Sequence, residues 1–176
     1  MALDTNSAVW AFKNWGEPTH LISPSLDCSS PEATPIQTEC GRAFSAVLTK
    51  SGDVYIWRLD VGSFKDLYHE TIRIHGIRVD IVPDHEGVIP CRTREFKTDF
   101  IKLPALPDLP DLVATGLPGE ERREGTRLIK IAACSSSLIG LTNKGHVLKS
   151  DIPVGEDSAW IWHYVSESAY ILDAFP

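Results

Sequence analysis

The sequence contains no run of roughly 18 apolar residues, the length that a membrane-crossing helix needs. Its opening, MALDTNSAVWAFKNWG, has neither the basic start nor the apolar core of a secretory leader. The four cysteines, Cys28, Cys40, Cys91 and Cys134, form no Cys-x-x-Cys pair, and neither they nor the six histidines fall at zinc-ligand spacing. These absences suggest a reducing intracellular setting, cytoplasm or nucleus, with free thiols and no membrane partner. A basic surplus is missing too. There are 17 Lys and Arg against 24 Asp and Glu, a formal net charge of −7, so no nucleic-acid partner is expected. The densest basic cluster, ERREGTR at 121–127, is diluted by its own glutamates.

Catalytic patterns are equally scarce. Ser45 and Ser135–Ser137 lack the strand, Gly-x-Ser-x-Gly turn and helix that expose a nucleophile. GLPGEERREG and GHVLKSD lack the Gly-Lys-Ser/Thr step of a phosphate cradle. His69, His75, His85 and the DHE at 84–86 admit a metal reading, but Pro83 and Gly87 bracket that stretch as a surface turn. No catalytic residue, cofactor or metal ligand is expected.

What the sequence does contain is a repeat. Hydrophobic residues make up 43% and charged residues 23% of 176, enough for one domain with a real core. In residues 36–57, IQTECGRAFSAVLTKSGDVYIW, Ile36, Thr38 and Cys40 alternate with polar neighbours as a strand does. Gly41 then offers a natural place for a bend or a close backbone approach. Ala43–Thr49 is small or apolar on both faces, which predicts a strand buried on both sides. TKSGDV has its glycine where a three-residue hairpin loop needs one, and Asp53–Trp57 returns as a strand rich in β-branched and aromatic side chains. Ninety-three residues later, IKIAACSSSLIGLTNKGHVLK repeats the design. Ile129, Leu141, Thr142, Gly145 and Val147 fall on Ile36, Leu48, Thr49, Gly52 and Val54. The identities sit at the turn glycine and at expected inward positions. A partial third copy opens the chain, where Val9-Trp10-Ala11-Phe12 matches Val54-Tyr55-Ile56-Trp57 and Trp15-Gly16 closes it. The repeat-like segments are thus 9–16, 36–58 and 129–151, and the structural positions that define them are Gly41, Leu48, Gly52, Val54, Trp57, Leu141, Gly145 and Val147.

These residues resemble the regulator-of-chromosome-condensation repeat, whose pattern is a small-Gly turn, a His-Ser-like step, Ala-Leu-Thr, Gly and Val-Tyr-x-Trp-Gly. The first copy supplies Cys40-Gly41, Phe44-Ser45, Val47-Leu48-Thr49, Gly52, Val54-Tyr55 and Trp57, but has Phe44 where His is usual and Arg58 where Gly is usual. The second keeps Leu141-Thr142, Gly145 and Val147-Leu148, with Cys134 for the glycine and Ser150-Asp151 for Trp-Gly. Four segments in order, AFKNWGEPTHLISPSLD, TPIQTECGRAFSAVLTKSGDVYIW, LPALPDLPDLVATGLPG and LIKIAACSSSLIGLTNKGHVLK, are similar to fungal F-box proteins of the ubiquitin-ligase-associated factor type.

The resemblance implies an all-β fold, a single partial β-propeller over 1–176, with an insertion at 59–128. At about 40–50 residues per blade the chain holds about three blades, not a ring. No segment reads as the F-box helices, so a fragment or a divergent paralogue is expected. The implied function is a non-catalytic protein-interaction module, the substrate-recognition part of a cullin-type ubiquitin ligase subunit, with ligase components and substrate as protein partners. The alternatives are an exchange factor for a small GTPase, or a degenerate fragment with no activity of its own. Open blade edges would favour self-association.

Within the insertion, ETIRIHGIRVDIVP at 70–83 suggests two short strands around Gly76. In IKLPALPDLPDLVATGLPG, Pro104, Pro107 and Pro110 recur every third residue, as do Leu103, Leu106, Leu109 and Leu112. That is the period of polyproline II. A proline-motif ligand is one reading, but a strap whose leucines pack on the β body is favoured, because four aligned leucines are costly to expose.

Overall fold

The structure, a computed structural model, describes residues 1–12, 18–26, 29–58, 93–112, 125–153 and 159–165. They form twelve strands: β1 (Ala2–Leu3), β2 (Val9–Phe12), β3 (Pro18–Ile22), β4 (Pro35–Cys40), β5 (Phe44–Thr49), β6 (Val54–Arg58), β7 (Arg94–Lys97), β8 (Ile101–Lys102), β9 (Leu128–Ala133), β10 (Ser137–Thr142), β11 (Val147–Asp151) and β12 (His163–Tyr164). The helical element among the described residues is a 3-10 turn, Pro31–Ala33. Ser30 caps it, its Oγ accepting from the Ala33 amide at 3.2 Å, and Pro31 needs no partner in the first turn.

The strands make three four-stranded sheets, ordered β1-β2-β3-β7, β4-β5-β6-β8 and β9-β10-β11-β12. Pairing is antiparallel except where β7 joins β3 in parallel. The all-β expectation therefore holds for the described residues. The sheets stack in chain order, with β1 against β4, and β4 and β5 against β9. The second sheet is in the middle. One of its faces, Phe44, Ala46, Leu48, Val54 and Ile56, packs with Leu128, Ile131 and Leu138 of the third. Its other face, Val47, Tyr55 and Trp57, packs with Val9, Ala11 and Leu21 of the first. This is why β5 is small or apolar at every position, and it is buried along its whole length.

The insertion expected at 59–128 is not external along its whole length. Its residues 94–97 complete the first sheet and 101–102 the second, because the outermost strands β3 and β6 each have a free edge that needs backbone partners. The strap follows. Leu103 and Leu109 are buried and Leu106 packs on the core, while Pro104, Pro107 and Pro110 face solvent. Leu112 is 46% exposed, so the leucine face docks for three of its four members. The strands expected in 70–83 lie outside the described residues.

Trp160 shows how a lost repeat residue is replaced. Position 150, the counterpart of Trp57, is a serine buried with no hydrogen-bond partner for its Oγ. Trp160 enters the core between the second and third sheets instead, with its ring edge-on to Phe44 at 5.9 Å and the Arg58 guanidinium 5.9 Å from its centroid.

Candidate interaction surface

Three hairpin corners of the molecule share one design. Leu48 lies opposite Val54 and Leu141 opposite Val147. Across both corners the amide of Thr49 donates to Asp53 O at 2.9 Å and that of Thr142 to His146 O at 2.9 Å. Gly52 N donates to Thr49 O at 2.9 Å and Gly145 N to Thr142 O at 3.0 Å, with φ of +92° and +86° at the two glycines. The first strands of the second and third sheets also carry an extra residue at the matching place, Ile36 between Pro35 and Gln37, and Ile129 between Leu128 and Lys130.

The third corner lies at the start of the chain and was not legible as one. Leu3 lies opposite Val9. Asp4 N donates to Ala8 O at 3.1 Å and Ser7 N to Asp4 O at 3.0 Å. Ser7, with φ of +61°, stands where the other corners have glycine. Adding 45 to Leu3, Ser7 and Val9 gives Leu48, Gly52 and Val54. Val9 thus holds the corner place that Val54 holds in the second sheet, while Phe12 is exposed where Trp57 is buried, and Trp15 and Gly16 lie outside the described residues. The overlooked signal was a leucine, five residues and a valine, present three times.

The expected structural positions divide by sheet. Leu48, Val54 and Trp57 are buried, and Trp57 Nε1 donates to Thr98 Oγ1 at 3.1 Å. A Cβ on Gly41 would meet the Phe44 ring and would lie 2.7 Å from Cys134 O, so glycine there serves close packing between sheets. Leu141 is only half-buried and Val147 is 37% exposed, contrary to the inward reading, because no further sheet among the described residues covers the far side of the third. Cys40 and Cys134 are free and exposed, Cys40 at the end of β4 and Cys134 just past the end of β9.

Two contacts tie the second sheet to the third at this surface. The Gln37 side-chain amide donates to Ile131 O at 2.6 Å and accepts from Ile131 N at 3.0 Å, so one side chain takes the place of a strand neighbour for β9. Repeat comparison gives no hint of it, because Lys130 occupies the matching position. The strap makes the second tie. Leu109 N donates to Thr126 Oγ1 at 2.7 Å, Pro110 O accepts from His146 Nε2 at 2.6 Å and Leu112 N donates to Lys144 O at 3.1 Å.

Beside the strap lies a shallow dent of about 100 Å³, lined by Asp53, Leu103, Leu106, Arg127, Leu128 and Trp162 among others. Its rim is charged. Lys102 meets Asp53 at 2.9 Å, and that hydrogen bond raises the lysine pKa above its ordinary value. Lys144 meets Asp108 at 2.7 Å, and its hydrogen bond holds the Asp108 carboxyl below the usual carboxylate range. A mixed lining of charged and apolar side chains of this kind can meet a protein surface.

Chemistry is harder to place here. Ser45 donates to Cys40 Sγ at 3.6 Å and Ser137 to Asp151 at 2.5 Å, so neither is activated by a histidine through these bonds. Among the described residues no three His, Cys, Asp or Glu side chains are grouped to hold a metal, and no helix is long and apolar enough to cross a membrane. His69, His75 and His85 lie outside the described residues. No protein-family model matches the chain, and no curated protein matches it.

Proposed function

We propose that the three sheets are blades of a partial β-propeller and that the chain is a non-catalytic protein-interaction module. The observation that carries the reading is the triple corner. Leu3–Val9, Leu48–Val54 and Leu141–Val147 share one hairpin register, and the sheets bearing them stack in chain order. Repeated blades present successive turns on a common side, where surface variation tunes recognition without touching the core. The dent, with its Lys102–Asp53 and Lys144–Asp108 rim, is the surface such a partner would contact.

The resemblance to fungal F-box proteins gives this module a role, substrate recognition for a cullin-type ubiquitin ligase, with an F-box supplied by a longer form or by another chain. Proximity labelling in cells with the full chain as bait tests it. Enrichment of the cullin, its F-box-binding adaptor and a protein whose abundance rises when the gene is silenced supports the role. Absence of ligase subunits, or acceleration of nucleotide release from a small GTPase by the purified chain, overturns it.

A further inference from the structure

Each sheet has a leading face, toward the next sheet in the chain, and a trailing face, toward the one before. The leading face of the second sheet, with Ala46, Leu48, Val54 and Ile56, packs on the third. Its trailing face, with Val47, Tyr55 and Trp57, packs on the first. Both internal interfaces are therefore a leading face on a trailing face.

Among the described residues two faces lack a covering sheet, one of each kind. The repeat offset of 93 puts Ile139, Leu141, Val147 and Lys149 on the leading face of the third sheet. The offset of 45 puts Ala2, Trp10 and Phe12 on the trailing face of the first. All of these are wholly or partly exposed, Val147 at 37% and Phe12 at 56%. Trp10 and Phe12 stand at the places of Tyr55 and Trp57, the aromatic residues that fill the internal interface. Leu141 and Val147 stand at the places of Leu48 and Val54, which receive cover from a neighbouring sheet.

On the open leading face Lys149 is paired with Asp151 of its own strand at 2.9 Å, so the match of the two faces rests on their apolar and aromatic positions. On the open trailing face, His20 stacks on Trp10 at 5.0 Å and lies opposite Glu95 of β7, which is exposed.

We propose that the open leading face of the third sheet takes the open trailing face of the first sheet of a second copy of this chain. The contact continues the interface that the molecule makes twice within itself, and it deepens the blade reading by naming the partner of those faces. It is heterologous, so it builds head-to-tail dimers and then a closed ring or an open array.

Sedimentation velocity of the full chain across a roughly hundredfold concentration range tests it, since mass action makes association concentration-dependent. Val147→Glu damages only the leading face and Phe12→Glu only the trailing face. Each should move the association midpoint at least about tenfold higher. An equimolar mixture should form a dimer and stop there, because it pairs one intact face from each variant. Circular dichroism and cooperative melting verify folding, and Val147→Thr with Phe12→Ser replace any variant that fails. A wild-type chain that stays monomeric, variants that associate as the wild type does, or a mixture with no dimer would each overturn the proposal. A monomer that still captures ligase subunits would leave the proposed function intact.

Discussion

Gly52 and Gly125 have the same backbone angle, φ of +92°, and opposite surroundings. A Cβ on Gly125 meets nothing within 4 Å, whereas one on Gly52 would lie 2.6 Å from Arg127 Cβ, 2.8 Å from Leu128 N and 2.9 Å from Leu128 O. Alanine at either site incurs the left-handed backbone strain, about 1 kcal/mol. Only at Gly52 must it also push against the backbone that starts β9, which adds about 2 kcal/mol of overpacking. The expected loss is therefore about 3 kcal/mol for Gly52→Ala and about 1 kcal/mol for Gly125→Ala, or near 9 and 3 °C in Tm at roughly 3 °C per kcal/mol for a chain of this size. Urea unfolding, with the midpoint lowered and the slope unchanged, measures both. If Gly52→Ala costs no more than Gly125→Ala, the corner of the second sheet does not pack on the third as described, and the stacking of the two copies is wrong.

Gln37→Leu removes both hydrogen bonds to the Ile131 backbone and should lower stability by about 2 kcal/mol, read by urea unfolding, because β9 then lacks partners for one amide and one carbonyl. Trp160→Ala should cost about 3–5 kcal/mol by the same measurement, since it opens a cavity beside Phe44, and an effect under about 1 kcal/mol would place the ring outside the core. The Asp151 carboxyl is held below its ordinary pKa, first by the hydrogen bond from Ser137 and then by Lys149. A depressed folded-state pKa contributes stability above the unfolded-state value that is lost as pH falls through the folded one. The Tm gap between the wild type and Asp151→Asn should therefore shrink from about pH 6 to about pH 3, by a small amount because the pair is solvent-screened. A gap that is independent of pH would contradict it.

The parts of the fold visible in the sequence were those where backbone sterics leave few choices. Gly52 and Gly145 announced their turns because positive φ admits little else, and Phe44–Thr49 announced a strand covered on both sides by having no polar face. The first corner was hidden by the same rule, because Ser7 takes the left-handed conformation without being a glycine. Strands β7 and β8 were hidden for another reason. They are short edge additions that follow the free edges of β3 and β6, and nothing local in Arg94–Lys97 says which edge it will meet. The strap was legible through its three-residue period. The surface it helps to build was not, since the Gln37–Ile131 clasp and the Lys144–Asp108 pair each join residues far apart in the chain.

The equivalence of the three corners is most directly tested by cross-strand nuclear Overhauser contacts in the isotope-labelled chain. The account predicts contacts between Leu3 and Val9, Leu48 and Val54, and Leu141 and Val147, in one pattern at all three corners. A missing pair, or a shifted register at any one of them, would contradict it.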